Sequence, residues 1–190
     1  QLDFENAPGY SLETRYDPGV PRYWAQTEVP YEVLATVCAP VNADSGIGPA
    51  VKIKAYLQGS PKVSDETILS TMVKHVYDLD ATTENLENEM NPGEIWAVPI
   101  NIMNGGNGPD RYDMRITEIA DSNGIAQPWN VEIFRSDMSE LERDENQTVM
   151  VHVKTPNQVA AGEYQVTISV FSEELNFFCL IFLFCLLLIS

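Results

Sequence analysis

Few residues in this sequence are of a type and spacing suited to chemistry. It holds two histidines, His75 and His152. Neither has a second His or a Cys at the short spacing of a zinc site, so zinc is not expected. His75 shares strand parity with Val73, Tyr77 and Leu79 and is expected to face inward. His152 alternates with Val149, Val151 and Val153 and is expected to face water. No Gly-x-Ser-x-Gly elbow presents a nucleophilic serine. The run Asn104-Gly105-Gly106-Asn107-Gly108 lacks the Lys-Ser/Thr of a phosphate-binding loop and is read as a hairpin connection.

Carboxylates are abundant, and paired acids are the requirement for glycoside hydrolysis. Glu84, Glu87 and Glu89 fall in one polar connection, and Asp137, Glu140, Glu142, Asp144 and Glu145 in another. Both are read as solvated charge runs. The calcium loop of alternating Asp/Asn, a central Gly and a final Glu is absent. Asp78, Asp80 or Asp110, with backbone carbonyls, could still hold calcium between strands; no other cofactor is expected. Asn146-Gln147-Thr148 fits the N-glycosylation sequon, which makes Asn146 the candidate acceptor. Tyr23 and Trp24, with Tyr10 and Tyr16 nearby, are candidate glycan contacts if they form a flat row. The plainer reading is that these aromatics pin an irregular segment to a core.

Composition narrows the partners. Against 28 acidic residues stand 11 basic ones, giving a net charge of −17. Such a chain repels phosphate backbones, so nucleic acid is excluded as an expected partner. Hydrophobic residues make up 44% of 190 positions, enough for one large or two small cores. Cys38 stands apart from Cys179 and Cys185, and no disulfide framework follows. Cys38 is read as a small buried apolar residue. The sequence starts at Gln1 with no leader pattern and is read as a piece of a longer protein.

Residues 177–189, FFCLIFLFCLLLI, are unbroken apolar sequence. As a helix they would reach roughly 20 Å, short of the ~30 Å hydrocarbon core of a bilayer. Three readings compete: the start of a membrane helix, a frame artefact, and a buried or signal-like segment. The first makes the chain membrane-attached through its tail.

The elements that must position any site are strands. Apolar and polar residues alternate over 51–57, 112–116, 149–153 and 164–170, and further strands are expected over 31–37, 72–79, 95–103 and 129–134. Asn91-Pro92-Gly93, the 104–108 run and Ser122-Asn123-Gly124 carry the chemistry of turns with positive φ. A short helical turn is expected within 136–146. Strands about ten residues apart predict an all-β antiparallel sandwich. The run Tyr31-Glu32-Val33-Leu34-Ala35-Thr36-Val37 echoes Tyr164-Gln165-Val166-Thr167-Ile168-Ser169-Val170. The expected organisation is a β-rich module at 1–70, the remnant of a similar preceding domain, then a sandwich at 71–174 and the tail at 175–190.

Residues 78–172 carry ordered motifs. Asp78-Leu79 is followed by Asn91-Pro92-Gly93-Glu94, then by Ile100-Asn101-Ile102 and the 104–108 turn. Asp110-Arg111-Tyr112, Trp129-Asn130-Val131-Glu132-Ile133 and Thr155-Pro156 leading to Gly162-Glu163-Tyr164 complete the series. This order resembles the CARDB and NEW3 group of immunoglobulin-like domains. The resemblance implies a seven-stranded immunoglobulin-like sandwich that displays or spaces other modules, and it implies no catalytic residues. The expectation is therefore a non-enzymatic, acidic, extracellular or cell-surface adhesion or spacer module, with other surface proteins or polysaccharide as partners. The alternative is an accessory or carbohydrate-binding domain of a secreted hydrolase or protease.

Overall fold

The structure is a computed structural model that describes residues 2–5, 9–16, 33–57, 59–134, 139–174 and 178–187. All regular structure among them is β. The chain divides into two units, Gln1–His75 and Val76–Ser190. The division falls inside the segment expected to be one strand over 72–79.

In the first unit the strands are β1 (Leu2–Glu5), β2 (Ser11–Tyr16), β3 (Val33–Cys38), β4 (Gly46–Ile47), β5 (Val51–Leu57), β6 (Ser60–Leu69) and β7 (Met72–Val73). They form sheets ordered β1-β5-β6, β2-β3 and β4-β7. Val51 is fully buried, but on β6 Val63 is 63% and Ile68 60% exposed. That exposure explains why apolar periodicity does not mark β6 in the sequence. With both faces in water, a strand has no apolar alternation to show. Cys38 is exposed, not buried as expected.

The second unit holds β8 (Leu79–Thr82), β9 (Glu87–Met90), β10 (Ile95–Asn104), β11 (Tyr112–Asp121), β12 (Asn130–Phe134), β13 (Asn146–Lys154), β14 (Gly162–Ser172) and β15 (Phe178–Leu187). One sheet is ordered β12-β13-β10-β8 and the other β11-β14-β15-β9. In immunoglobulin lettering the first is D-E-B-A and the second C-F-G, with β9 added beside G. The unit is an immunoglobulin-like sandwich.

Its core follows from strand parity. Trp96, Val98 and Ile100 on β10 lie in register with Val153, Val151 and Val149 on β13, and all six are buried. From the other sheet Val166, Ile168 and Val170 of β14 are also buried, as are Tyr112 and Met114 of β11. Each such side chain contributes about 1.5–3 kcal/mol by leaving water. Pro99 is tolerated within β10 because β8 reaches only Asn101 to Asn104 on that edge.

The tail does not adopt the helical form expected of a membrane segment. β15 pairs antiparallel with β14 from Phe171↔Phe178 to Gly162↔Leu187. Its end pairs parallel with β9, Phe184↔Glu87 to Leu187↔Met90. An unbroken apolar run is ambiguous between helix and buried strand until its neighbours are known. Glu87 and Glu89, read as part of a solvated polar connection, are exposed but stand on β9. Among the described residues no helix is long and apolar enough to cross a membrane. Nor is there a helical turn in 139–146: Leu141 is buried in the core and forms an isolated bridge to Asp110.

At the entrance to β14 the Tyr164 hydroxyl donates to the Ala160 carbonyl at 3.0 Å. The ring of Trp129, just before β12, packs on Tyr164 with centroids 4.6 Å apart. A tyrosine at the start of strand F bonded to the backbone a few residues upstream is the tyrosine corner of such sandwiches. Tyr164→Phe keeps the ring contact and removes that bond. It is expected to cost about 1 kcal/mol, read as a lower urea midpoint at unchanged slope.

Candidate functional site

Among the described residues, a buried polar network lies at the end of the sandwich where β10 crosses to β11. The 104–108 run joins β10 of one sheet to β11 of the other, so it is a crossover and not a hairpin. Its glycines are not there for positive φ, which occurs instead at Gly93 and Gly124. They are there for close approach. A Cβ on Gly106 would lie 2.6 Å from the Val76 carbonyl oxygen, and one on Gly105 would lie 2.8 Å from Asp78 Oδ2.

Asn104 anchors this end. Parity on β10 sends it to the core side beside Ile102, and it is fully buried. Its Nδ2 donates to the Gly108 carbonyl at 2.9 Å and to the Leu141 carbonyl at 2.8 Å. Its Oδ1 accepts from the Gly106 amide at 2.9 Å. Its own backbone amide donates to the Glu145 carbonyl, and its carbonyl accepts from Asp144. One side chain thus ties together the crossover and the segment leading into β13.

Asp110 is buried beside it. Its Oδ1 accepts from the Arg111 amide at 2.7 Å, and its carboxylate faces the Tyr112 hydroxyl. The Tyr112 hydroxyl donates to the Asp78 carbonyl at 3.2 Å. Burial raises the Tyr112 phenol well above its ordinary value, and the neighbouring Asp110 and then Asp78 carboxylates raise it further. Tyr112 is therefore held neutral and serves as a hydrogen-bond donor. Because the folded phenol ionises above the unfolded one, its contribution is fully present below about pH 10 and is lost as pH rises beyond it. The urea midpoint is expected to fall between pH 9 and pH 11 more steeply for the native chain than for Tyr112→Phe. Equal slopes would refute the assignment.

Of the residues considered for calcium, Asp78 and Asp110 are brought together around Tyr112. Asp80 is not; it is an exposed residue of β8 paired with Met103. Among the described residues no group of three or more His, Cys, Asp or Glu gathers to hold a metal ion. The second acidic run is exposed at Glu140, Glu142, Asp144 and Glu145, as a solvated charge run should be. The Glu142 amide donates to Glu145 Oε2 at 2.9 Å, closing the turn in which Asp144 takes φ 59°. Asp137 lies outside the described residues.

His152 is half-buried on β13 opposite Glu132 of β12, and His75 is half-buried at the end of the first unit. Asn146 and Thr148 are both exposed on β13, so the sequon is accessible. Tyr23 and Trp24 lie outside the described residues, and Tyr10 is half-buried. Sequence reasoning missed Asn104 and Leu141. Parity could have found Asn104, because the alternation of Trp96, Val98, Ile100 and Ile102 continues onto it.

No family model and no curated protein matches the chain. Solved structures resemble it loosely. A family 123 glycoside hydrolase from Clostridium perfringens aligns with TM-score 0.47 and 12% identity over 60% of this chain and 28% of its own. The CooA pilin subunit of enterotoxigenic Escherichia coli aligns with TM-score 0.39 and 10% identity over 59% of this chain and 98% of its own. Domains 4 and 5 of the S-layer protein SbsC align with TM-score 0.39 and 13% identity over 96% of this chain and 72% of its own. The chain spans well under two thirds of the hydrolase. The assignment of an immunoglobulin-like sandwich rests on the strand order of the second unit.

Proposed function

We propose that this chain is a non-catalytic structural module of a secreted or cell-surface protein, one that spaces or displays other domains. The observation that carries the reading is the succession of two β units on one chain, the second a sandwich with a continuous core. The motif order over 78–172, with its likeness to CARDB and NEW3 domains, supports it. So does the exposed Asn146 sequon, which suits a chain that passes through a glycosylating compartment. The charge of −17 favours solubility. A membrane role for the tail would require 178–187 to leave the sheet that it completes.

The test is affinity electrophoresis of the full chain against a panel of soluble polysaccharides, with and without calcium. The expected result is an unchanged mobility throughout. A shift abolished by Trp24→Ala would replace the spacer reading with a carbohydrate-binding one.

A further inference from the structure

The strands of the second unit are connected in a way that bears on tension. β9 is the first strand of its sheet in chain order and β15 the last, and the two are parallel neighbours. Glu87, where the upstream chain enters β9, lies opposite Phe184. Leu187, where β15 ends, lies opposite Met90. The upstream end of β9 and the downstream end of β15 therefore sit at opposite ends of one ladder. Tension along the chain pulls the two strands past each other along their own axes. Every hydrogen bond between them is then loaded at once, and none can open before the others. An antiparallel terminal pair would instead be loaded at one end and open bond by bond. On its other side β15 is paired over ten residues with β14, so the loaded strand is anchored to the middle of the sheet.

We infer that the parallel β9–β15 pair is a mechanical clamp, and that the second unit bears tensile load transmitted along the chain. This rests on the spacer reading and deepens it: the module would hold its neighbours apart under pull. β8, held to β10 by four residue pairs, stands upstream of the clamp and releases first. The chain freed by that step, residues 76–86, adds at most roughly 40 Å at about 3.4 Å per residue.

Single-molecule force spectroscopy tests the inference on the full chain. Tethered at its two ends, the chain is expected to show one high-force event that releases roughly 340 Å, the length of residues 87–187 at about 3.4 Å each. A short step precedes it. The same chain is then tethered at its C-terminal end and through a ligation tag inserted at Pro92, next to the end of β9 that faces Leu187. This geometry opens the ladder from one end, and the high-force event is expected to be lost. Equal forces in the two geometries would overturn the clamp. Should the tag disturb folding, Asn88→Pro and Glu89→Pro give a second reading. At least one removes an amide from the ladder and is expected to lower the end-to-end force; force unchanged in both overturns the clamp. A low force without polysaccharide binding would sink the load-bearing role and leave the spacer reading. Polysaccharide binding with a high force would do the reverse.

Discussion

Ending the chain after Glu174 is expected to abolish the cooperative unfolding of the second unit. The shortened chain keeps fourteen of the fifteen strands among the described residues but lacks β15, which lies between β14 and β9. Without it β14 loses its ladder from Gly162 to Phe171, and β9 loses the one sheet partner it has among the described residues. β14 supplies Tyr164, Val166, Ile168 and Val170 to the core, so the exposed edge runs along the centre of the sandwich. Each lost hydrogen bond is worth about 0.5–1.5 kcal/mol net, and a domain has only about 5–15 kcal/mol in total. The loss of the whole β14 ladder reaches that range, before lost packing is counted. Near-UV circular dichroism and urea unfolding of the full and shortened chains decide the point. A shortened chain with the same midpoint and slope would mean that the tail is dispensable to the fold. If the expectation holds, tests of binding must use the full chain, because a version trimmed of its apolar tail would report on an unfolded protein.

Asn104→Ala is expected to be the most damaging single polar substitution, at about 3–5 kcal/mol. The side chain makes three buried hydrogen bonds, at 2.8–2.9 Å, to Gly108, Leu141 and Gly106. Each is worth about 1 kcal/mol net, and the carbonyls and amide left behind add the penalty of unmet buried groups. The urea midpoint reads the loss; a change below about 1 kcal/mol would mean that water replaces the amide and that the network is not the anchor described. Asn104→Asp separates geometry from volume. An ionised carboxylate would turn acceptors toward the Gly108 and Leu141 carbonyls, while the protonated acid can still donate one bond. Its folded pKa would therefore lie above the unfolded value of about 3.9. Stability is then fully retained below that value and lost as pH rises, so the deficit relative to the native chain should be larger at pH 7.5 than at pH 4.5.

Much of the second unit was legible in the residues alone. The alternations at 112–116, 149–153 and 164–170 fall within β11, β13 and β14, and the expected strands at 95–103 and 129–134 correspond to β10 and β12. These strands have one face on a core, so burial writes a period of two into their sequence. The turn glycines Gly93 and Gly124 were legible for a local reason as well, since each has positive φ. The sequence also established the acidity that disfavours nucleic acid and the sequon at Asn146, which the fold leaves exposed.

What only tertiary structure decided shares one physical cause: the deciding partner is distant in sequence. The run at 177–189 was compatible with a helix or a strand, and its described part became β15 because β14 and β9 offer it two rows of hydrogen bonds. β6 is exposed along almost its whole length, and β9 is only four residues long, with Glu87 and Glu89 exposed and Met90 alone buried, so neither shows a run of apolar alternation. By itself the 104–108 run reads as a hairpin connection. Its glycines are fixed by the Val76 carbonyl and the Asp78 carboxylate approaching from 27 to 30 residues away. Asn104 and Leu141, 37 residues apart, meet only when the two sheets close. Local sequence sets which face of a strand is apolar; which strand covers that face, and which buried polar group finds a partner, is set by how the sheets stack.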